Sequence, residues 1–367
     1  MGIKIIKENL SKHFQGCDIV VQLGQEREDT EIKLLQLTDM QIIDSEQRRT
    51  PDRLRVDEIK AWASVNFDGQ CGNHIRSLIA QSHPDLIFIT GDIVYGSFDD
   101  NGTVFEWFCN LMDSFRIPWA PVFGNHDNEA KRGVDWQCQR FAQSDYCLFK
   151  RGNVSGNGNY TIGIATGEKL VRVLHMLDSN GCADTDDDKI IKEPKIFRDQ
   201  LQLIDDNTLL IEKGQGRKIP AFIAFHIPTE EFKLAEKEKG YSTDGKEQFV
   251  LGIDVQAKDG DFGCRLENYW VAQTDVDFLA FLKKCNVNAV FCGHCHKINT
   301  RILYKGIQWV FGLKTGQYDY HIVGNLGGTL ITISGKEDRI SHLPALVPYA
   351  PFPYGAPMFR TFFVEKE

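Results

Sequence analysis

The stretch NAVFCGHCH (288–296) combines a short apolar run with a glycine and two histidines two residues apart. Runs of this length bounded by turn residues are typical of buried strands. Four other runs end in the same way, each followed by polar residues: KLLQLTD (33–39), DLIFITGD (85–92), APVFGNHD (120–127) and PAFIAFH (220–226). Each predicted strand is therefore followed at once by a residue that can bind a metal or transfer a proton.

Helical segments alternate with these strands. Apolar residues recur at helical spacing from Val104 to Phe115, behind the capping-box pair Thr103 and Glu106. A second helical face runs from Phe197 to Ile211, and a third helix is predicted to start at Thr274. Further strands are predicted at VRVLHML (171–177), QWVFGL (308–313) and GTLITIS (328–334). This alternation predicts an α/β (α+β) layered fold with mixed sheets, as one domain over residues 1–367.

The composition is that of an ordinary globular protein. The chain has 367 residues, of which 42% are hydrophobic and 25% charged, and its 51 acidic and 42 basic residues give a net charge of −9. This balance disfavours general nucleic-acid binding. The sequence contains no apolar stretch of about 18 residues and no apolar signal core near its start, so no membrane span is expected. Ten scattered cysteines fit a reducing compartment, and we expect a cytoplasmic protein. The oligomeric state is not indicated.

The polar residues behind the strands predict a metal site. Ligands at the carboxyl ends of strands lie where α/β sheets build their sites. Carboxylates, an amide oxygen and imidazoles suit two divalent or trivalent ions about 3.5–4 Å apart, as in phosphoester-cleaving enzymes. His294 and His296 would be difficult to bury unless their ring nitrogens find partners or metals.

The order and spacing of these motifs resemble those of the calcineurin-like metallophosphoesterases. The resemblance covers about residues 33–320 and rests on these groups: Asp39, Gly91-Asp92, Gly124-Asn125-His126-Asp127, His226 and Gly293-His294-Cys295-His296. Other segments are similar to small single-domain phosphatases grouped with the purple acid phosphatases: FHIPTEEF (225–232), GNY (158–160), LDSN (177–180) and GLKTGQYDY (312–320). The resemblance implies a four-layer αββα sandwich of two mixed sheets flanked by helices.

The resemblance also implies roles for individual residues. Asp39 and His296 would bind a first metal, with Asp92 bridging to the second. The remaining ligands of the second metal would be Asn125, His226 and His294. His126 would steady the phosphoryl oxygen or protonate the leaving group, and Asp127 follows it where many members carry Glu. The expected cofactors are two metal ions, Fe, Mn or Zn. The expected reaction is attack of a metal-activated hydroxide on a phosphate ester.

One position departs from the family pattern. The first motif is usually Asp-x-His, and here the third residue is Gln41, whose amide oxygen is a poorer ligand than imidazole. Purple acid phosphatases also lack that histidine, and they carry a tyrosine three residues after the bridging aspartate, as this chain does at Tyr95. Two interpretations stay open. Tyr95 is a phenolate ligand favouring Fe(III), or it is an aromatic residue packed beneath the metal loop.

Two other kinds of function are considered. Cys292-Gly-His-Cys295-His296 matches the attachment string of c-type haem, although this would leave the other motifs unexplained. A non-catalytic regulatory protein that kept the fold is the second alternative, supported by Gln41. For an enzyme, the insert at about 228–269 carries mixed charge and is expected to form the pocket rim. Mixed charge favours phosphoprotein or small phosphate monoesters over a long polyanion, with a phosphodiesterase as the alternative.

Overall fold

Two β-sheets form the centre of the molecule in a computed structural model that describes residues 3–24, 31–47, 66–243, 247–335 and 337–346. The strands are β1 (Lys4–Ile6), β2 (Ile19–Leu23), β3 (Ile32–Leu37), β4 (Leu86–Thr90), β5 (Trp119–Val122), β6 (Tyr160–Thr166), β7 (Lys169–Met176), β8 (Lys195–Ile196), β9 (Ala221–Ala224), β10 (Phe249–Val250), β11 (Cys264–Arg265), β12 (Gln273–Thr274), β13 (Val287–Cys292), β14 (Arg301–Tyr304), β15 (Ile307–Phe311), β16 (Gly327–Ser334) and β17 (Glu337–Pro344). The α-helices are α1 (Asn73–Ser82), α2 (Thr103–Ser114), α3 (Gly133–Ala142), α4 (Arg198–Gln215), α5 (Glu230–Glu238) and α6 (Phe278–Lys284).

Both large sheets mix parallel and antiparallel pairs. The five-stranded sheet has the order β17-β16-β3-β4-β5, in which β3, β4 and β5 are parallel and β16 runs antiparallel to its neighbours. The eight-stranded sheet has the order β1-β2-β6-β7-β9-β13-β15-β14, with β7, β9, β13 and β15 parallel. The mixed α/β fold expected from the sequence is therefore confirmed.

The two sheets pack face to face. The ring of Phe88 on β4 lies 5.2 Å from that of Phe291 on β13, in an edge contact between the sheets. Every residue of β4 is buried, as expected for a parallel strand that is covered on both faces. The apolar runs that predicted strands in the sequence therefore supply both the inter-sheet core and the outer faces.

Helices cover the outer face of each sheet. Phe108 of α2 and Phe141 of α3 contact Trp119 of β5, on the five-stranded sheet. On the other side, Phe232 of α5 contacts Trp309 of β15, and α4 and α6 bury apolar residues in the same cluster. The layers are thus helix, sheet, sheet and helix. No helix within the described ranges is both long enough and apolar enough to cross a membrane.

The predicted strands agree with the structure to within a few residues, but the predicted cap of one helix and the predicted start of another are wrong. Thr103 is the first residue of α2, and its side chain makes no cap; Asp99 instead accepts hydrogen bonds from the amides of Val104 and Phe105 at 3.0 and 2.9 Å. Thr274 belongs to β12, and α6 begins after Asp277, whose carboxylate accepts from Ala280 N at 3.0 Å. In both cases an aspartate provides the cap in place of the expected threonine.

Candidate metal centre

The polar side chains named from the sequence meet where strands of the two sheets end. The five-stranded sheet supplies two carboxylates and an amide, which follow β3, β4 and β5: Asp39, Asp92 and Asn125. The eight-stranded sheet supplies the imidazoles, which follow β9 and β13: His226, His294 and His296. The parallel strands in each sheet place these residues at neighbouring positions along one edge of the sandwich.

The loops that carry these residues have an unusual backbone. Asp39 and Asp92 both have φ of 51° and His294 has φ of 71°, in the left-handed region that costs non-glycine residues energy. Gly124 permits the close approach of the loops, because a Cβ there would lie 2.1 Å from Asp92 Oδ1. Strain of this kind persists only where the surrounding structure fixes it, and here it directs the side chains toward one point.

Three buried groups form the middle of the site. Asp39, Asp92 and His226 each offer one ligand atom, and these atoms all lie within 4.8 Å of one another. Burial alone would raise the pKa of Asp92, but the charges of His226 and His126 outweigh it and hold that pKa well below its usual range. The pKa of Asp39 is likewise lowered despite burial, by His296 and His226. Two ionised carboxylates held this close are suited to bind cations.

We call Asn125, His226 and His294 the histidine side of the centre. Asn125 Oδ1 lies 3.0 Å from His226 Nε2 and 2.9 Å from His294 Nδ1, so three potential ligand atoms converge. His226 Nδ1 donates to the carbonyl oxygen of Thr90 at 2.7 Å, which directs Nε2 at the site. Metal-binding histidines typically use their second nitrogen in this way. Burial is the main cause that lowers the pKa of His294 to about 3, leaving the neutral ring that binds metals.

We call Asp39, Gln41, His296 and Lys314 the lysine side. Lys314 Nζ donates to Gln41 Oε1 and to the backbone carbonyl of Asp39, both at 2.8 Å. Gln41 Nε2 in turn donates to Asp92 Oδ2 at 3.3 Å. Lys314 is 2% exposed and Gln41 is fully buried. Sequence reasoning missed Lys314; the available signal was a lysine inside the apolar segment FGLKTG (311–316).

His296 reaches the lysine side through Nε2, which lies 3.6 Å from Asp39 Oδ1. Its Nδ1 is buried and has no hydrogen-bond partner in the described part of the chain, with Asp319 Oδ2 3.8 Å away. The ring packs against Tyr320 at a centroid distance of 4.4 Å. A buried ring nitrogen without a partner is uncommon. The converging atoms of the histidine side and the position of His296 Nε2 beside Asp39 indicate that the site fits metal ions.

His126 lies beside the centre and is paired with a carboxylate that the sequence did not single out. Its Nδ1 is 2.9 Å from Glu129 Oε1, and its backbone N donates to Asp92 Oδ1 at 2.9 Å. Burial alone would lower the pKa of His126, but Glu129 and Asp92 raise it to about 9. The signal for Glu129 was the i, i+3 spacing, since Asp127–Glu129 forms a 3₁₀ turn in which such residues share a face.

Asp127 organises the backbone of the metal loops. Its Oδ2 accepts from Asp92 N at 2.9 Å and from Gly124 N at 2.7 Å, and its Oδ1 accepts from Val94 N at 3.0 Å. Burial and the neighbouring Asp92 raise its pKa above the usual value. Asp127 therefore ties the loops after β4 and β5 together, and Glu129 is the carboxylate that pairs with His126.

Tyr95 is half-buried and stacks on His126. The ring centroids are 4.1 Å apart at an interplanar angle of 28°, and the ring of Phe98 makes an edge contact with Tyr95 at 5.4 Å. This is the geometry of the packing interpretation, in which the aromatic ring supports the loop that carries the histidine. Ligation by the phenol stays a prediction.

The cysteines of the haem-like string lie in the core. Cys292 and Cys295 are buried in the apolar cluster on the outer side of the eight-stranded sheet. A thioether bond to a haem would require this core to open, so the pair acts as small apolar residues. His296, the third member of the string, lies at the metal centre.

The described part of the insert packs beside the site. Helix α5 begins four residues after His226. Within the insert, Arg265 and Glu236 form a buried ion pair at 2.7 Å. At its end, Glu267 Oε1 accepts a hydrogen bond from Lys297 N at 2.7 Å, next to His296. These contacts place the end of the insert against the loop after β13.

Comparison with known proteins indicates the family of the chain. Residues 32–297, more than half of the chain, match the family model of calcineurin-like phosphoesterases. The chain is 25% identical over 321 residues to "Probable inactive purple acid phosphatase 28" of Arabidopsis thaliana, covering 81% of this chain and 73% of that protein. It is 26% identical over 298 residues to phosphatase DCR2 of Saccharomyces cerevisiae, covering 76% of this chain but only 46% of the yeast protein. A dimetal phosphatase structure from Danio rerio aligns with a TM-score of 0.44 at 12% identity, covering 85% of this chain and 98% of that one.

Proposed function

The chain belongs to the calcineurin-like phosphoesterase family, and from this we propose that it is a metal-dependent phosphatase that hydrolyses phosphate monoesters. The observation that carries the proposal is the convergence of Asp39, Asp92 and His226, three buried groups whose ligand atoms lie within 4.8 Å of one another. Two buried carboxylates beside an imidazole form a ligand set that suits divalent cations. The matching family acts on phosphate esters, and the metal centre is where this chemistry would take place.

Six residues would hold two metal ions. Asp39 and His296 would serve the lysine side, Asp92 would bridge, and the histidine side would bind the second ion. When bound, the ions supply positive charge that neutralises the phosphoryl oxygens and lowers the pKa of a water molecule. The candidate metals are Fe, Mn and Zn, all of which accept this mixture of imidazole and carboxylate ligands.

His126 would act on the leaving group. Glu129 binds its Nδ1 at 2.9 Å, which leaves Nε2 as the nitrogen available to substrate. The negative carboxylate of Glu129 stabilises the protonated ring, and the stacked Tyr95 fixes its plane. His126 can therefore hydrogen-bond a phosphoryl oxygen and give a proton to the departing alkoxide. Glu129 would be a positioning residue, acting through His126.

The charge pattern of the expected pocket rim favours a small substrate or a phosphorylated side chain. Glu230 and Lys233 lie 3.6 Å apart on α5, close after His226, so positive and negative charge alternate there. The net charge of the chain is −9. A long polyanion such as nucleic acid would meet repulsion along this surface. A monoester presents only one compact anionic group, which the metal ions would neutralise.

A second candidate function is metal binding without turnover. The observation that favours it is Gln41, which stands at a position close to Asp92 and turns its amide nitrogen, not its oxygen, toward that carboxylate. The Arabidopsis relative is itself named as probably inactive. Such a protein would bind ions on the histidine side and act through binding alone.

One experiment separates these functions. Full-length protein is stripped with a chelator, reloaded with Mn²⁺, Zn²⁺ or Fe²⁺, and assayed on an aryl phosphate monoester, the matched diester and a phosphoserine peptide. We expect metal-dependent turnover, at least about tenfold faster on monoesters than on the diester, a difference worth about 1.4 kcal/mol in the barrier. His13→Ala, on the surface 3₁₀ turn, is the control for loss of a histidine. A faster diester reaction would contradict the monoester assignment, and bound metal without turnover would support the second candidate.

A further inference from the structure

The buried ammonium of Lys314 lies against the residues expected to hold the first metal. We propose that Lys314 and Gln41 make the two sides of the centre unequal, so that the chain binds one cation tightly on the histidine side and a second weakly on the lysine side. This inference rests on the proposed function, because it concerns the same metal centre.

The first argument is the orientation of the Gln41 amide. An ammonium group has only donors, so the atom of Gln41 that lies 2.8 Å from Lys314 Nζ must be the oxygen. The amide nitrogen is then the atom 3.3 Å from Asp92 Oδ2, where it donates a hydrogen bond. Gln41 therefore offers no lone pair to a cation beside Asp92. It orients the carboxylate instead of binding metal.

The second argument is that Lys314 cannot move away. The residue that follows it, Thr315, donates its backbone N to Thr38 O at 2.9 Å, and its Oγ1 accepts from Thr38 N at 3.2 Å. Gly316 N donates to Asp39 O at 3.3 Å, and a Cβ at Gly316 would lie 1.9 Å from the carbonyl oxygen of Met40. This pairing fixes the backbone of Lys314 against the Asp39 loop, so Nζ stays beside the site.

The third argument is the state of the Asp39 carboxylate. Thr38 Oγ1 donates to its Oδ2 at 2.6 Å, and the backbone N of His294 lies 3.1 Å from both of its oxygens. These donors already satisfy part of the carboxylate, and Lys314 Nζ binds the backbone carbonyl of the same residue. On the histidine side the converging atoms are instead an amide oxygen and two imidazole nitrogens, with no ammonium among their hydrogen-bond partners within the described residues. A cation gains less on the lysine side.

Metal titration of the stripped full-length protein tests this. Calorimetry with Mn²⁺ should show two events in the wild-type protein, the second at least about tenfold weaker, in the range by which such neighbouring groups change metal affinity. Lys314→Met keeps the length and apolar stem but removes the charge, and should tighten the weak event by about 10–100-fold with the tight event unchanged. Lys305→Met, at an exposed turn between β14 and β15, is the matched control for loss of a lysine.

A second substitution, Gln41→His, completes a double-mutant cycle with Lys314→Met. Alone, it should leave the weak event unchanged, because the new imidazole would face the ammonium. Combined with Lys314→Met, it should tighten that event beyond the single Lys314→Met variant, because imidazole is the better ligand for these cations.

The outcomes are distinct. Two equal sites in the wild-type protein, which need no variant to detect, would overturn the inference. So would a Lys314→Met protein that stays folded by circular dichroism and binds Mn²⁺ as the wild type does. Turnover measured on the same samples separates the two proposals: an active enzyme with equal sites contradicts only the unequal affinities, whereas unequal sites without turnover contradict only the proposed function.

Discussion

Both the histidine side and the lysine side of the centre lie on loops that follow strands of the sheets. They differ in the chemical groups that these loops present. On the histidine side, Asn125 Oδ1 lies within 3.0 Å of two imidazole nitrogens. On the lysine side, the ammonium of Lys314 already contacts Gln41 and the carbonyl of Asp39. The strand ends place both sets of side chains, but residue type decides whether a loop presents ligand atoms or a fixed positive charge. The geometry of a fold can therefore survive at a site whose affinity for metal has changed.

Asp92→Asn should have the largest effect, because Asp92 is the carboxylate that both sides share. The amide keeps the shape but removes the negative charge, so we expect weaker binding on both sides and a loss of activity of about 10²–10⁴-fold, as two 10–100-fold losses multiply. Metal analysis of the purified variant measures the first effect. If only one of the two ions were lost, Asp92 would not be the bridge and the two sides would be independent.

His126→Ala should separate chemistry from metal binding. The side chain lies next to the centre without belonging to either side, so both sides should keep their ions. We expect kcat to fall by at least about 10²-fold, as for loss of a general acid worth 10²–10⁴. Steady-state kinetics with metal content measured on the same sample checks this. Full activity in a folded, metal-loaded variant would remove His126 from the mechanism.

Glu129→Gln should have a smaller effect with a characteristic pH dependence. Glu129 helps to raise the pKa of His126 to about 9, so His126 acting as an acid loses activity as the pH rises through that pKa. Removing the negative charge should shift this falling limb to lower pH and reduce kcat by about tenfold. The pH profile of kcat is the measurement. A uniform loss of activity with an unshifted limb would mean that Glu129 only supports the loop.

Tyr95→Phe should have the smallest effect. Phenylalanine keeps the stacking on His126 and the contact with Phe98, so on the packing interpretation we expect activity within about twofold of the wild type. An iron-loaded wild-type sample should be colourless for the same reason. Visible absorption that disappears in the Tyr95→Phe variant would instead identify a phenolate ligand on the lysine side.

The strands and the polar residues behind them could be read from the sequence because both signals are local. An apolar run ending in Gly91-Asp92 carries its strand and its carboxylate within a few residues. Lys314 could not be found in this way, because its contact with Asp39 joins residues 275 apart in the chain. The pairing of Glu129 with His126 depends on a 3₁₀ turn that the motif does not specify. The cap of α2 at Asp99, in place of Thr103, shows the same limit for competing local hydrogen bonds.

Because the candidate ligands come from two different sheets, a bound metal ion would act as a cross-link between them. Asp92 follows a strand of one sheet and His226 a strand of the other, so a cation held by both binds only after the sandwich has docked. Such a metal ion binds the folded state but not the unfolded state. It therefore stabilises the folded state by about 2.7 kcal/mol when the free metal concentration is 100 times Kd. Removal of the metal by a chelator should first loosen the contacts between the two sheets. Amide hydrogen exchange should quicken in the residues following β4 and β9, well before the helices on the outer faces respond.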